Sequence, residues 1–130
     1  MTVLQTPSID LNEAERRLLL AEVHESLRND GTDVLLRAKA QPGGLAQLDH
    51  HVNELIPIVR RSTATRLEPY LAQILDDICT RCPLQEPSAF CALRHEGTCI
   101  FFKRAGTIVA AVRRALREVD IGRELQKAKE

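Results

Sequence analysis

Apolar positions in this chain recur every three or four residues, the spacing of helix faces, and no stretch stands out as a strand pattern. The first run opens at Asp10, which stands where an N-cap should, with Glu13 three residues on to complete a capping box. Leu11, Ala14, Leu18 and Ala21 then repeat on one row and Leu20, Val23 and Leu27 on an adjacent one. Asn29-Asp30-Gly31 closes this helix. Thr32 to Ala40 carries Val34, Leu35 and Leu36 in a short helix, ended by Gln41-Pro42-Gly43-Gly44, the strongest breaker in the sequence.

The longest seam follows, through Leu45, Leu48, Val52, Leu55, Val59, Leu67, Leu71, Ile74 and Ile78. Pro57 and Pro69 interrupt it. Each removes a backbone donor and crowds the carbonyl four residues earlier, so a kink or a fresh helix start is expected at both. The reading is helices over about 45–64 and 66–79, able to join as one bent rod. Residues 80–98 hold Pro83, Pro87 and Gly97 without sustained periodicity and read as a loop, a long one for so compact a chain. The last helix runs from Cys99 or Ile100 to Val119. Phe101, Ala105, Ile108, Val112, Leu116 and Val119 share one face, and Lys103, Gly106, Ala110, Arg113, Arg114 and Arg117 the opposite one. A loose lead-in over residues 1–9 and a charged, fraying tail over 120–130 complete the outline. The fold expected is all-α: one domain over 1–130, a small bundle of four to five helices. A cysteine-ligated metal loop over 79–99 joins its last two long helices.

Composition narrows the chemistry. A chain of 130 residues buries enough surface to fold without disulfides or metal. Only 3% of it is aromatic, so the core must be built from Leu, Ile, Val and Ala. Eighteen basic and eighteen acidic residues cancel, which weighs against nucleic-acid binding, since phosphate neutralisation normally demands a basic excess. Met1 to Glu15 has neither a basic start nor an apolar run, so no secretory signal is expected, and no apolar stretch is long enough for a membrane span. The expected location is the cytoplasm, where thiols stay reduced.

In that setting four cysteines point to a metal centre rather than to structural disulfides. Cys79, Cys82, Cys91 and Cys99 are separated by two, eight and seven residues and fall within 21 positions. Four thiolates are the usual complement for zinc or an iron–sulfur cluster. Structural zinc sites more often use two Cys-x-x-Cys knuckles, whereas one pair with two dispersed cysteines favours [4Fe–4S]; zinc stands as the alternative. Pro83 after Cys82 matches the Cys-Pro that ends ferredoxin runs, but the tight spacing of those runs is absent and no kinship follows. A helix opening at Cys99 offers free N–H groups that favour a thiolate. The Ile100-Phe101-Phe102 run is either a shield for a cluster or plain core. His95, Arg81 and Arg94 are candidate supports for the centre, through a hydrogen bond to sulfur, ligation in place of a cysteine, or charge compensation.

His50 and His51 lie near Glu54 on a helix, read as one histidine at the core edge and one in solvent. His24 is read as equally ordinary. The last helix holds five basic residues and no acidic one between Cys99 and Arg117. Lys103, Arg113, Arg114 and Arg117 flank the small Gly106 and Ala110, a face open to a protein partner with an acidic surface. No Gly-rich phosphate loop, nucleophile elbow or His-Glu-x-x-His appears. The functional expectation is a metal protein for electron transfer or redox sensing; the alternatives are a zinc-pinned adaptor and, behind it, a nucleic-acid-binding regulator.

Overall fold

A computed structural model of the chain describes residues 11–31, 33–41, 43–62, 66–79, 82, 91 and 99–129, and these are helical throughout apart from their connections. The helices are α1 (Glu13–Asp30), α2 (Val34–Ala40), α3 (Gly44–Arg61), α4 (Leu67–Asp77), α5 (Ile100–Lys103) and α6 (Ala105–Lys129). No helix among the described residues is long and apolar enough to cross a membrane. The lead-in over 1–9, Asp10 and most of the 80–98 segment lie outside the described residues.

The capping box of α1 is displaced by two positions from the one expected. Asn12 is the N-cap; its side chain accepts from the Glu15 N–H at 2.8 Å, and the Glu15 carboxylate accepts from the Asn12 N–H at 3.0 Å. The inward face also differs. Leu19, Val23 and Leu27 are fully buried, whereas Leu18 is 68% exposed and Ala14 and Ala21 face solvent. Of the two expected rows, the one carrying Val23 and Leu27 enters the core; of the other, only Leu11 is buried.

After α2, Gly43 and Gly44 adopt φ of +84° and +59°, left-handed values that explain why glycines stand there. A Cβ on Gly43 would also meet Gln47 at 2.6 Å. The helix α3 then runs through Pro57, as the expected helix over about 45–64 does, so of the kink or fresh start expected there no fresh start occurs. Pro57 still deprives the Asn53 carbonyl of its usual donor. The chain leaves α3 through Ser62 and enters α4 from Arg66, both extended, so α3 and α4 are two helices rather than one bent rod. Pro69 sits in the first turn of α4, where a missing N–H costs little.

The last helix is longer than expected and is split near its start. Arg104 turns the chain between α5 and α6, and α6 then continues to Lys129, so the charged tail is helical. This length makes α6 the spine. Against it α1 packs antiparallel, and the pairing is closed at both ends by charge. Arg123 donates to Glu15 from Nη2 at 2.7 Å and from Nε at 3.1 Å, while Arg104 lies 3.8 Å from Asp30 and Thr107 donates to the same carboxylate. On the other side α3 runs parallel to α6, with the Phe101 ring 5.0 Å from His51 and Arg60 bidentate on Asp120 at 2.7 and 3.0 Å. The α2 helix closes the gap beside α1, α3 and α5, and α4 packs on α3 and α6. The core between these helices is aliphatic: Leu27, Leu55, Ile56, Ile74, Ile78 and Ile108 are its largest fully enclosed side chains besides Leu19.

Candidate metal centre and docking face

The cysteines stand where the aliphatic core ends. Ile78, 1% exposed, is the last core residue of the α4 segment, and Cys79 follows it, partly buried against the core. The Cys82 N–H donates to the Cys79 carbonyl at 3.2 Å, so the Cys-x-x-Cys pair is drawn into one turn by the backbone. Cys91 is 8% exposed. Cys99 is the N-cap of α5 and packs against the same core edge. None of the four is in a disulfide.

Burial pushes the Cys99 thiol up from its ordinary range. The Phe102 N–H, at the start of α5, draws it down, and Cys91 and Cys82 raise it again because a second thiolate nearby repels a first. Among the described residues, no three Cys, His, Asp or Glu side chains gather as a metal-binding group. His95, Arg81 and Arg94 lie outside the described residues. Of the apolar run beside Cys99, Ile100 and Phe101 are each 3% exposed and belong to the core, and Phe102 packs partly buried against it.

The histidines divide as expected at positions 50 and 51. His51 is buried and His50 lies in solvent, 3.8 Å from Glu54. The Gln47 amide nitrogen donates to His51 Nε2 at 3.1 Å, which leaves Nδ1 to carry the proton donated to Glu54 at 3.1 Å. His24 is less ordinary than its sequence suggests: its Nε2 meets Asp49 at 2.8 Å, tying α1 to α3. No sequence signal marked that contact, which joins residues 25 apart.

The basic face of the last helix is not a uniform stripe. Arg114 donates to Glu22 at 3.1 Å and to Ser26 at 2.8 Å, both on α1. Lys103 belongs to α5, before the Arg104 turn. The small residues are not all open to a partner either: Leu67 of α4 lies 3.5 Å from where a Gly106 Cβ would stand. Arg113 and Arg117 have no carboxylate partner among the described residues. They border a depression of about 300 Å³ between the end of α3 and α6.

A feature that sequence reasoning missed lies at the far end of the α1–α6 pair. There Leu18, Leu19, Val119 and Gly122 line an apolar groove of about 350 Å³ beside the Glu15–Arg123 pair. The exposed Leu18 is its visible signal. No protein-family model, curated protein or solved structure matches the chain.

Proposed function

We propose that this chain is a small metal-binding protein. In this reading Cys79, Cys82, Cys91 and Cys99 hold one centre, a [4Fe–4S] cluster used for electron transfer or redox sensing, while the protein docks on a partner with an acidic surface. The observation that carries the reading is the setting of the thiols: Cys91 is buried, Cys79 and Cys99 pack partly buried against the aliphatic core, the Cys82 N–H donates to the Cys79 carbonyl, and none of the four is in a disulfide. Thiols outside disulfides are ligands for a soft cation, which exchanges for their protons on binding.

A second reading, structural zinc, is favoured by the packing of Cys79 and Cys99 against the core edge at the ends of two different elements. A metal shared by them would staple α4 to α5 without redox chemistry.

Metal and sulfide analysis on protein purified without oxygen separates the two. Iron and sulfide at about four each per chain, with broad absorbance near roughly 400 nm, is the expected result. About one zinc per chain and no colour moves the conclusion to the staple. Neither metal at stoichiometry removes both.

A further inference from the structure

Among the described residues, most arginines are occupied. Arg60, Arg61, Arg104, Arg114 and Arg123 each reach a carboxylate on another element or across a loop. Arg113 and Arg117 do not. Arg113 lies between two depressions that run along α6. One, of about 160 Å³, has Leu67 and Val109 in its wall and Arg66 at its rim. The other, of about 300 Å³, is floored by Val59 and Leu116 and bordered by Arg117. Together they form one strip from Gly106 to Asp120, about 21 Å long at the helical rise of 1.5 Å per residue.

The net charge along this strip is positive. Asp120, the carboxylate within it, is taken up bidentately by Arg60, which also holds its pKa below the usual carboxylate range. Glu68 stands 3.6 Å from Arg66, but both side chains are largely exposed and the pair is weak. What remains uncompensated is Arg113 and Arg117, one helical turn apart, with the exposed Leu67 and Ala110 beside Arg113.

We propose that this strip is the docking site for an acidic peptide segment of a partner protein. Its carboxylates, one turn apart, meet Arg113 and Arg117, and an apolar side chain enters the depression beside Leu67. That exposed apolar surface decides the class of partner. A nucleic-acid backbone needs a longer row of donors and offers nothing to cover Leu67 and Ala110, whereas an amphipathic acidic segment satisfies both the arginines and these side chains. The inference rests on the docking half of the proposed function, and it moves the contact away from Lys103 and Arg114.

The test is fluorescence anisotropy with a labelled helical peptide of about fourteen residues, matched to the strip, carrying glutamates four apart and leucines between them. Binding is expected at low salt and should weaken as salt screens the exposed charges. The double variant Arg113→Gln/Arg117→Gln should bind about tenfold more weakly, the size of two modest charge pairs. The control Lys103→Gln/Arg114→Gln should bind within about twofold of the parent. Circular dichroism verifies that each variant is folded. Absence of binding, equal binding by the Arg113/Arg117 variant, or tighter binding of a DNA duplex of matched length overturns the proposal. Metal content is measured on the same sample. A colourless, metal-free protein that still binds the peptide would retire the metal centre and leave the docking site standing; a brown protein that ignores the peptide would do the reverse.

Discussion

The α1–α6 pair and the cysteine-bearing end are held by different means. Along α1 and α6 the seam is aliphatic and its ends are closed by charge, with Glu15 on Arg123 at one extremity and Asp30 beside Arg104 and Thr107 at the other. At the cysteine end, among the described residues, Ile78 and Ile100 are core residues on either side of the cysteines, and Cys79 and Cys99 pack partly buried against that core. Apolar burial and paired charge need nothing from solution. Thiols at a core margin contribute as small hydrophobes, and much more once a metal links them. Under the proposed function, mutations should therefore act on one region through packing and on the other through ligation.

The largest loss should come from the seam. Leu27 is completely enclosed, so Leu27→Ala removes its transfer energy and leaves a cavity, at a cost of about 2–5 kcal/mol. Leu18→Ala, on the same helix but 68% exposed, should stay within about 0.5 kcal/mol. Urea denaturation of the two variants checks the pair. Equal losses would mean that α1 presents its Leu18 row to the core after all.

Cys91→Ser asks the matching question of the other region. Under the proposed function it should cut metal content well below one centre per chain and lower the stability of the metal-loaded protein by about 3 kcal/mol, if free metal stands near a hundredfold over Kd. Far-UV circular dichroism should keep most of its helical signal, because α1, α3 and α6 hold one another without the cysteines. Stripping metal from the parent protein should give the same spectrum. Collapse of the helical signal in either case would make the two regions one cooperative unit and break the comparison.

How far the sequence spoke follows the same division. The inward face from α5 into α6 was legible because Phe101 on α5 and Ile108, Val112 and Leu116 on α6 repeat with one partner-facing stripe and no competitor. In α1 the run Leu18-Leu19-Leu20 supports two stripes, and α6 chose between them from a distance no local pattern records. The cap was ambiguous for a similar reason: Asp10 with Glu13 and Asn12 with Glu15 both satisfy the capping-box spacing, and only the second Glu has Arg123 to hold it. That pairing spans 108 residues and also keeps the charged tail helical where composition suggested fraying. At the site, the cysteines announced themselves by spacing. The difference between Arg113 and Arg114 did not, because it depends on which of two neighbours can reach Glu22 and Ser26.

A smaller effect, on the order of 1 kcal/mol, is expected when the clamp on the tail is cut. Glu15→Gln keeps an acceptor for the capping box but loses the charge that Arg123 grips, so it isolates the clamp from the cap. A double-mutant cycle with Arg123→Gln should return a coupling of that order, and hydrogen exchange should rise in α6 beyond Asp120. An additive cycle would show that the tail is held by Leu11, Leu19 and their neighbours instead.

The smallest effect is a pH dependence, and its sign is fixed by His51. Burial lowers its pKa; the Glu54 carboxylate opposes this, and the exposed His50 reinforces it. The groups packed on the ring from the other side, Phe101 foremost, are apolar and offer a proton no compensation. In the native protein Nε2 is already taken as an acceptor by the Gln47 amide, so protonation also sets donor against donor. The unfolded chain thus takes up a proton near pH 6.5 while the folded chain resists it. Between those values the unfolded state binds more protons, so stability must fall as pH drops below about 6.5 and level off once the folded histidine titrates. Glu15 and Asp120, both held low by arginine, add losses of the same sign in a separate window below about pH 4.5. Urea midpoints at pH 7.5, 6.5 and 5.5 should decline in the parent protein and lie closer together in His51→Gln, whose amide keeps polar contacts but cannot charge. An unchanged slope in that variant would show that the dependence does not arise at His51.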